Sequence, residues 1–165
     1  KYQEQIGFIV RHVKDPVLAG FILGKMSYAR EINVKLKVCE DCFIPEPENS
    51  ELTHEVVTIL GNLLENALEA VKDSKEKIIN LTLLYEKETL TIEVNDSGSG
   101  IDEDTKEKLF IKGYSTKGHD RGLGLYLVQK SVERLGGEIE IYSELAKGTL
   151  FSIYIPYKEK EEGVK

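Results

Sequence analysis

Apolar residues recur at Ile6, Ile9, Val10, Val13, Val17, Phe21, Met26 and Ala29, close to a helical period. The first 30 or so residues therefore read as one long helix, kinked at Pro16. Uninterrupted, it would be about 45 Å long at 1.5 Å per residue, which is long for a small domain and suits a coupling or dimerising arm. The period then drops to two. NVKLKV (33–38) alternates as a strand, and residues 43–49, with two prolines, form a loop. Helical spacing returns over residues 50–72, where Leu52, Val56, Ile59, Leu60, Leu63, Leu64, Ala67, Leu68 and Val71 share one face. KIINLTLLY and TLTIEVND form a hairpin turning at residues 86–88. SGSGIDEDTKEKLFIKGYSTKGHDRG follows, with one short helix near 103–110 and little other periodicity. Loops of this length in compact domains are functional or disordered. A last helix begins after Gly122 and stops at the Gly136-Gly137 pair. EIEIYS and GTLFSIYIP close the sheet as a second hairpin, and residues 158–165 form a charged tail.

Composition narrows what such a domain can do. The chain has 165 residues, enough for one domain with a real core, and 41% of them are hydrophobic, which excludes disorder. With 22 basic residues against 29 acidic, the formal charge is -7 and basic clusters are missing, so nucleic acid is not the expected partner. No apolar run reaches the roughly 18 residues of a membrane span, and KYQEQIGFIV does not read as a signal peptide. Cys39 and Cys42 in CEDC could be a redox pair, half a zinc site or part of a polar loop. Without a second CxxC, and with His12, His54 and His119 scattered, metal binding is the weaker reading, and a reducing cytoplasm fits best.

Three polar features interrupt the core pattern. LGNLLENALEA places Asn62, Asn66 and Glu69 on one helical face opposite the leucines, with Glu65 beside them. An ordinary solvated face would look similar. Two mid-helix asparagines nevertheless call for a reason, and an amide oxygen is a hard neutral ligand suited to magnesium already held by phosphates. In NDSGSGI a strand ends at Asp96, followed by Gly98 and Gly100. This is either a tight turn capped by aspartate or a carboxylate that accepts from an exocyclic amine while bare backbone lies against a flat ring, as adenine would require. RGLGLYLVQ sets Gly122 and Gly124 at a helix start, where unpaired N–H groups and the helix dipole favour an anion; a flexible loop meeting a helix is the alternative. The P-loop, Rossmann and protein-kinase grammars are all missing.

Taken in order, NLLENALEA, DSGSGI, LFIKGYSTK, RGLGLYLVQ and KGTLFSIYIP resemble the ATP-binding domain of sensor histidine kinases, in the superfamily shared with DNA gyrase, the Hsp90 chaperone and the mismatch-repair ATPase. The resemblance covers about residues 33–156. It implies a two-layer α/β sandwich of the Bergerat type, a mixed sheet with helices on one face, preceded by an N-terminal helix. It also implies a site for ATP and Mg2+. Asn66, helped by Asn62, would hold the magnesium, and Asp96 would bind the adenine amine. Gly98, Gly100 and Ile101 would shape the base pocket, lined also by Thr149. Phe110, Gly113, Tyr114, Ser115, Thr116, Lys117 and Arg121 would form hinge and lid over the triphosphate, with Lys117 among the catalytic groups. Gly122, Leu123, Gly124 and Leu125 would offer phosphate-binding backbone.

Hydrolysing members of the superfamily, by the same resemblance, carry glutamate as a base four residues before the magnesium asparagine. Here that position is Asn62, and an amide takes no proton at neutral pH. Imidazole needs no such base, so transfer to histidine remains open. The resemblance therefore implies a histidine kinase domain that phosphorylates a histidine elsewhere. An ATPase of the gyrase or chaperone class and a nucleotide-binding regulatory module are the alternatives. His12, in RHVKDP, resembles a phosphoacceptor box only superficially: Val13 replaces the usual acidic residue and Pro16 comes one position early. DPVLAGFILGKMSYAREINVKL, NALEA and GYSTK resemble the citrate and C4-dicarboxylate sensor subgroup. Residues 1–31 would then be the second helix of a dimerisation hairpin, 32–157 the catalytic domain and 158–165 a tail. The implied partners are an acceptor helix of the same kinase, a response regulator and a second protomer, with membrane attachment only through upstream segments.

Overall fold

The computed structural model describes residues 1–111 and 123–162. Where one kinked helix is expected at the start, two helices stand, α1 (Tyr2–His12) and α2 (Pro16–Glu31). The helical period runs on through residues 13–15, but the hydrogen bonding does not. The Asp15 carboxylate caps α2, its Oδ1 accepting from the backbone N–H of Val17 at 3.0 Å and of Leu18 at 3.5 Å, and Pro16 takes the first helical position, where its missing N–H costs nothing. Oδ2 of Asp15 accepts from the Thr53 hydroxyl at 2.5 Å. One buried carboxylate thus ties the start of α2 to α3 (Ser50–Val71).

β1 (Lys35–Val38) precedes α3, and β2 (Ile78–Glu86) and β3 (Thr89–Asp96) follow it as the expected hairpin. Lys87 and Glu88 both take left-handed φ, 50° and 60°, the twist a two-residue hairpin turn demands. α4 (Glu103–Lys108) and α5 (Gly124–Leu135) come next, then the hairpin of β4 (Glu138–Glu144) and β5 (Gly148–Pro156). The five strands run in the order β1-β2-β3-β5-β4, with β1 and β2 parallel and every other pair antiparallel. α3 supplies the crossover that the parallel pair requires.

Helices gather on one face because only that face is apolar. Along β3, Leu90, Ile92 and Val94 are buried, whereas Thr91, Glu93 and Asn95 alternate to the other side. Ile59, Leu60, Leu63 and Leu64 of α3 meet the buried residues in one hydrophobic cluster, each fully buried aliphatic side chain contributing about 1.5–3 kcal/mol. Ile9, Leu18, Ile22, Met26 and Ala29 of the first two helices join the same cluster. Among the described residues no helix is long and apolar enough to cross a membrane.

The charged tail is tied down further than its composition predicts. The Tyr157 hydroxyl donates to the Pro45 carbonyl at 2.6 Å, the Glu48 N–H to the Lys158 carbonyl at 2.9 Å and the Lys160 N–H to the Glu46 carbonyl at 2.8 Å. Residues 157–160 therefore run beside the proline-containing loop, and the backbone pairing outweighs the solubility of the charges. Burial pushes the Tyr157 phenol well above its ordinary range.

α3 and α5 are also joined by charge. Arg134 donates through Nε and Nη2 to the two carboxylate oxygens of Glu55 at 3.0 and 2.9 Å, and the Ser131 hydroxyl donates to Glu55 at 3.2 Å. The Arg134 hydrogen bond is the main influence holding the Glu55 carboxyl below the ordinary carboxylate range. A depressed folded-state value adds stability above the unfolded value, near pH 4.5, and that stability is lost as pH falls through the folded value. Glu55→Gln is accordingly expected to remove under about 1 kcal/mol at pH 7, and less below pH 4, when urea unfolding is measured across that range.

Candidate nucleotide site

The residues singled out from the sequence converge at one end of the helix-covered face. α3 carries Asn62 and Asn66, both half-buried, whereas Glu65 is exposed. β3 ends at Asp96, only 3% exposed, and its register partner on β5 is Thr149, 5% exposed. α5 begins at Gly124, opposite Asn62. Gly98, Gly100, Ile101, Phe110, Leu123 and Leu125 belong to the same end of the chain path, with Phe110 and Leu125 packed against the core. Gly113, Tyr114, Ser115, Thr116, Lys117, Arg121 and Gly122 lie outside the described residues.

Asp96 is held before any ligand arrives. Its Oδ1 accepts the Gly98 N–H at 2.8 Å, the turn geometry that a short Asp-x-Gly segment favours. Protein packs closely against both glycines. A Cβ on Gly98 would come within 2.6 Å of the Ala70 carbonyl oxygen. At Gly100, with φ of +76°, a Cβ would meet the Glu144 backbone. Both are needed for close approach of protein to protein, which packs the DSGSGI loop between the end of α3 and the β4–β5 turn.

Gly124 also faces protein. Asn62 donates its Nδ2 to the Thr58 carbonyl one turn back at 2.8 Å, leaving Oδ1 directed at α5, where a Cβ on Gly124 would sit 3.1 Å from it. The glycine lets α5 start against α3. Leu123, at the cap position, supplies no side-chain acceptor to the first turn of α5.

Ser143 is the group that sequence reasoning missed. Its hydroxyl accepts the Ile101 N–H at 2.8 Å, donates to the Gly148 carbonyl at 2.9 Å and lies 2.8 Å from the Thr149 hydroxyl. Through register it stands beside Thr149, itself beside Asp96, so three neighbouring strands present Ser143, Thr149 and Asp96 in one row. Only the strand order reveals this row. The backbone around it is pinned as well: Ala146 N–H donates to the Ser99 carbonyl at 2.6 Å, and the Ser97 hydroxyl donates to the Glu76 carbonyl at 2.8 Å. Ser143→Ala leaves the half-buried Ile101 amide and the Thr149 hydroxyl short of a partner. A loss of about 1–2 kcal/mol in urea unfolding and a several-fold weaker nucleotide affinity are expected.

The residues fit a purine nucleotide with a metal held by the phosphates. A buried carboxylate, a pocket floor fixed by backbone hydrogen bonds, an amide oxygen on α3 and a helix start without a side-chain cap would supply acceptor, walls, metal ligand and anion site. No cluster of three His, Cys, Asp or Glu side chains that could hold a metal ion forms among the described residues. A cleft of about 890 Å³ between Asn49, His54, Arg134 and Tyr157 sits at the start of α3, about four turns from Asn66.

Fold and site together define an α/β nucleotide-binding domain whose helices cover one face of a mixed sheet. Residues 52–159 match the family described as "Histidine kinase-, DNA gyrase B-, and HSP90-like ATPase", and the chain belongs to that family. Its nucleotide is therefore ATP. The chain is 41% identical over 160 residues to the probable C4-dicarboxylate sensor kinase of Halalkalibacterium halodurans, matching 94% of this chain and 30% of that protein. It is also 41% identical over 156 residues to the sensor histidine kinase DcuS of Escherichia coli K12, covering 94% of this chain and 29% of that one. The chain thus spans about three tenths of the length of these curated relatives. Among solved structures, the catalytic domain of histidine kinase ThkA superposes with a TM-score of 0.64 at 26% identity, over 86% of this chain and 93% of that one.

Proposed function

We propose that this chain is the catalytic region of a two-component sensor histidine kinase, binding Mg-ATP and delivering the γ-phosphoryl group to a histidine outside the sequence given. The kinase names of its relatives support the class, and the arrangement at Asn62 carries the choice of reaction. Where hydrolysing relatives of the superfamily resemble one another in placing a glutamate, this chain has an amide whose nitrogen is bonded to the Thr58 carbonyl and whose oxygen meets Gly124. The Asn62 amide takes no proton from water, whereas an imidazole acceptor arrives already nucleophilic. Asp96 would orient the base, Asn66 would hold the metal, and the start of α5 would hold phosphate oxygens. Magnesium, when bound, would neutralise charge developing on the transferred phosphoryl group. Catalysis would then consist of positioning and fixed electrostatics. Lys117 and its neighbours, by the family resemblance, would close over the triphosphate.

The partners that follow are an acceptor helix, a response regulator and a second protomer, with residues 1–31 leading in from a dimerisation hairpin. A place on the cytoplasmic side of a membrane-anchored sensor of C4-dicarboxylates or citrate accords with the relatives' names. His12 is a poor acceptor candidate because Val13 follows it where the acceptor box has an acidic residue and Pro16 comes one position early; its Nδ1 lies 2.9 Å from the Phe8 carbonyl and its ring stacks on Phe8 at 4.1 Å. The test supplies the acceptor hairpin of the Halalkalibacterium relative in trans with γ-labelled ATP. Label on the hairpin histidine with little free phosphate is expected. Steady phosphate release without transfer would instead indicate an ATPase, and binding with neither would indicate a regulatory module.

A further inference from the structure

The CEDC segment has no part in the nucleotide site, and its geometry is that of a closed ring. Cys39 and Cys42 are joined as a disulfide, with Cα atoms 5.5 Å apart, inside the span a disulfide bridges without backbone movement. The Cys42 N–H also donates to the Cys39 carbonyl at 3.3 Å, so the backbone turn holds the two side chains together in either oxidation state. The two sulfurs differ in surroundings. Cys42 is 1% exposed, and its Sγ accepts the Leu83 N–H at 3.2 Å and lies 3.9 Å from the Leu81 carbonyl oxygen. Cys39 is only half-buried and can be reached from solvent, whereas Glu40 and Asp41 between them are exposed.

The position of this ring matters more than its chemistry. The Cys39 N–H donates to the Leu81 carbonyl at 2.9 Å and the Phe43 N–H to the Leu83 carbonyl at 3.0 Å, so the turn is looped out of an otherwise continuous pairing with β2. The next residue clamps the N-terminal helices. The Ile44 N–H donates to the His12 carbonyl at 3.0 Å and the Lys14 N–H to the Ile44 carbonyl at 2.8 Å, across the gap between α1 and α2. A ring that fixes Cys39 relative to Phe43 therefore fixes the strand that holds the α1–α2 junction to the sheet.

We propose that Cys39 and Cys42 form a thiol–disulfide exchange site whose oxidation state sets how firmly the α1–α2 junction is held to the catalytic domain. The co-reactant is a low-molecular-weight disulfide of the glutathione class. The Cys39 thiolate attacks one of its sulfurs and expels one small thiol. The Cys42 thiolate then attacks the Cys39 sulfur of the mixed disulfide and expels the second. Two protein thiols and one small disulfide become one protein disulfide and two small thiols, and a dithiol reductant reverses the sequence. Oxidation removes loop freedom from the turn; reduction returns it.

The experiment equilibrates the 165-residue chain in glutathione buffers graded from fully reduced to fully oxidised, traps thiols with a maleimide and counts adducts by intact mass. Amide hydrogen exchange is read in parallel at Lys14 and Ile44. Two adducts at the reduced end and none at the oxidised end are expected, with exchange at both amides about tenfold slower in the oxidised form. Cys39→Ser should exchange at one rate in all the buffers. A pair that stays reduced throughout, a pair that stays oxidised throughout, or a disulfide that forms without changing exchange at Lys14 and Ile44 would each overturn the proposal. Thiol count and amide exchange need no nucleotide, so this outcome is independent of the kinase reading.

Discussion

Replacing Asp96 with asparagine is expected to weaken adenine-nucleotide binding by about 10- to 100-fold while leaving guanine nucleotides nearly unaffected. The carboxylate is 3% exposed and already accepts the Gly98 N–H, so the protein has fixed its direction without ligand. A charged acceptor for an exocyclic amine is worth about 1.5–3 kcal/mol, more than a neutral one. The asparagine must also present either an oxygen or an NH2 to the Gly98 N–H. In the first case it turns a donor toward the adenine amine, and in the second it sets donor against donor at the turn. Competition titration with ATP and GTP analogues measures the ratio, and unchanged selectivity would remove Asp96 from the base site.

The second large effect belongs to Asn66→Ala, for which phosphoryl transfer is expected to fall roughly a thousandfold and the magnesium dependence of ATP binding to disappear. Stability should hardly change. Asn66 is half-buried on the polar side of α3, and alanine is the better helix former, so the substitution leaves no apolar cavity. A circular-dichroism melt within a few degrees of the parent, together with lost transfer, separates chemistry from folding. Retained magnesium dependence would place the metal elsewhere.

Periodicity was enough to read most of this architecture. Leu90, Ile92 and Val94 alternate cleanly, and the apolar face of α3 repeats every three to four residues, so strand and helix announce themselves locally. The misreadings arise where the cause lies outside the window. Pro16 looks like a kink until Asp15 is seen capping α2 and binding Thr53, a contact 38 residues away in sequence. Residues 158–160 look like a solvated tail, yet they pair with 46–48. Gly98 and Gly100 stand out in the sequence as bare backbone, but their closeness to the Ala70 and Glu144 carbonyl oxygens is known only after packing. Ser143 carried no local signal, because its importance comes from standing beside Thr149 and Asp96 across three strands.

The proposed function rests on a magnesium-assisted adenine-nucleotide site built from α3, the end of β3 and the start of α5. Calorimetric titration of the chain with a non-hydrolysable ATP analogue, with and without magnesium and with a GTP analogue as control, tests it most directly. Adenine-selective binding that strengthens with magnesium is the predicted result. Equal binding of the two nucleotides, or an affinity indifferent to magnesium, would contradict it.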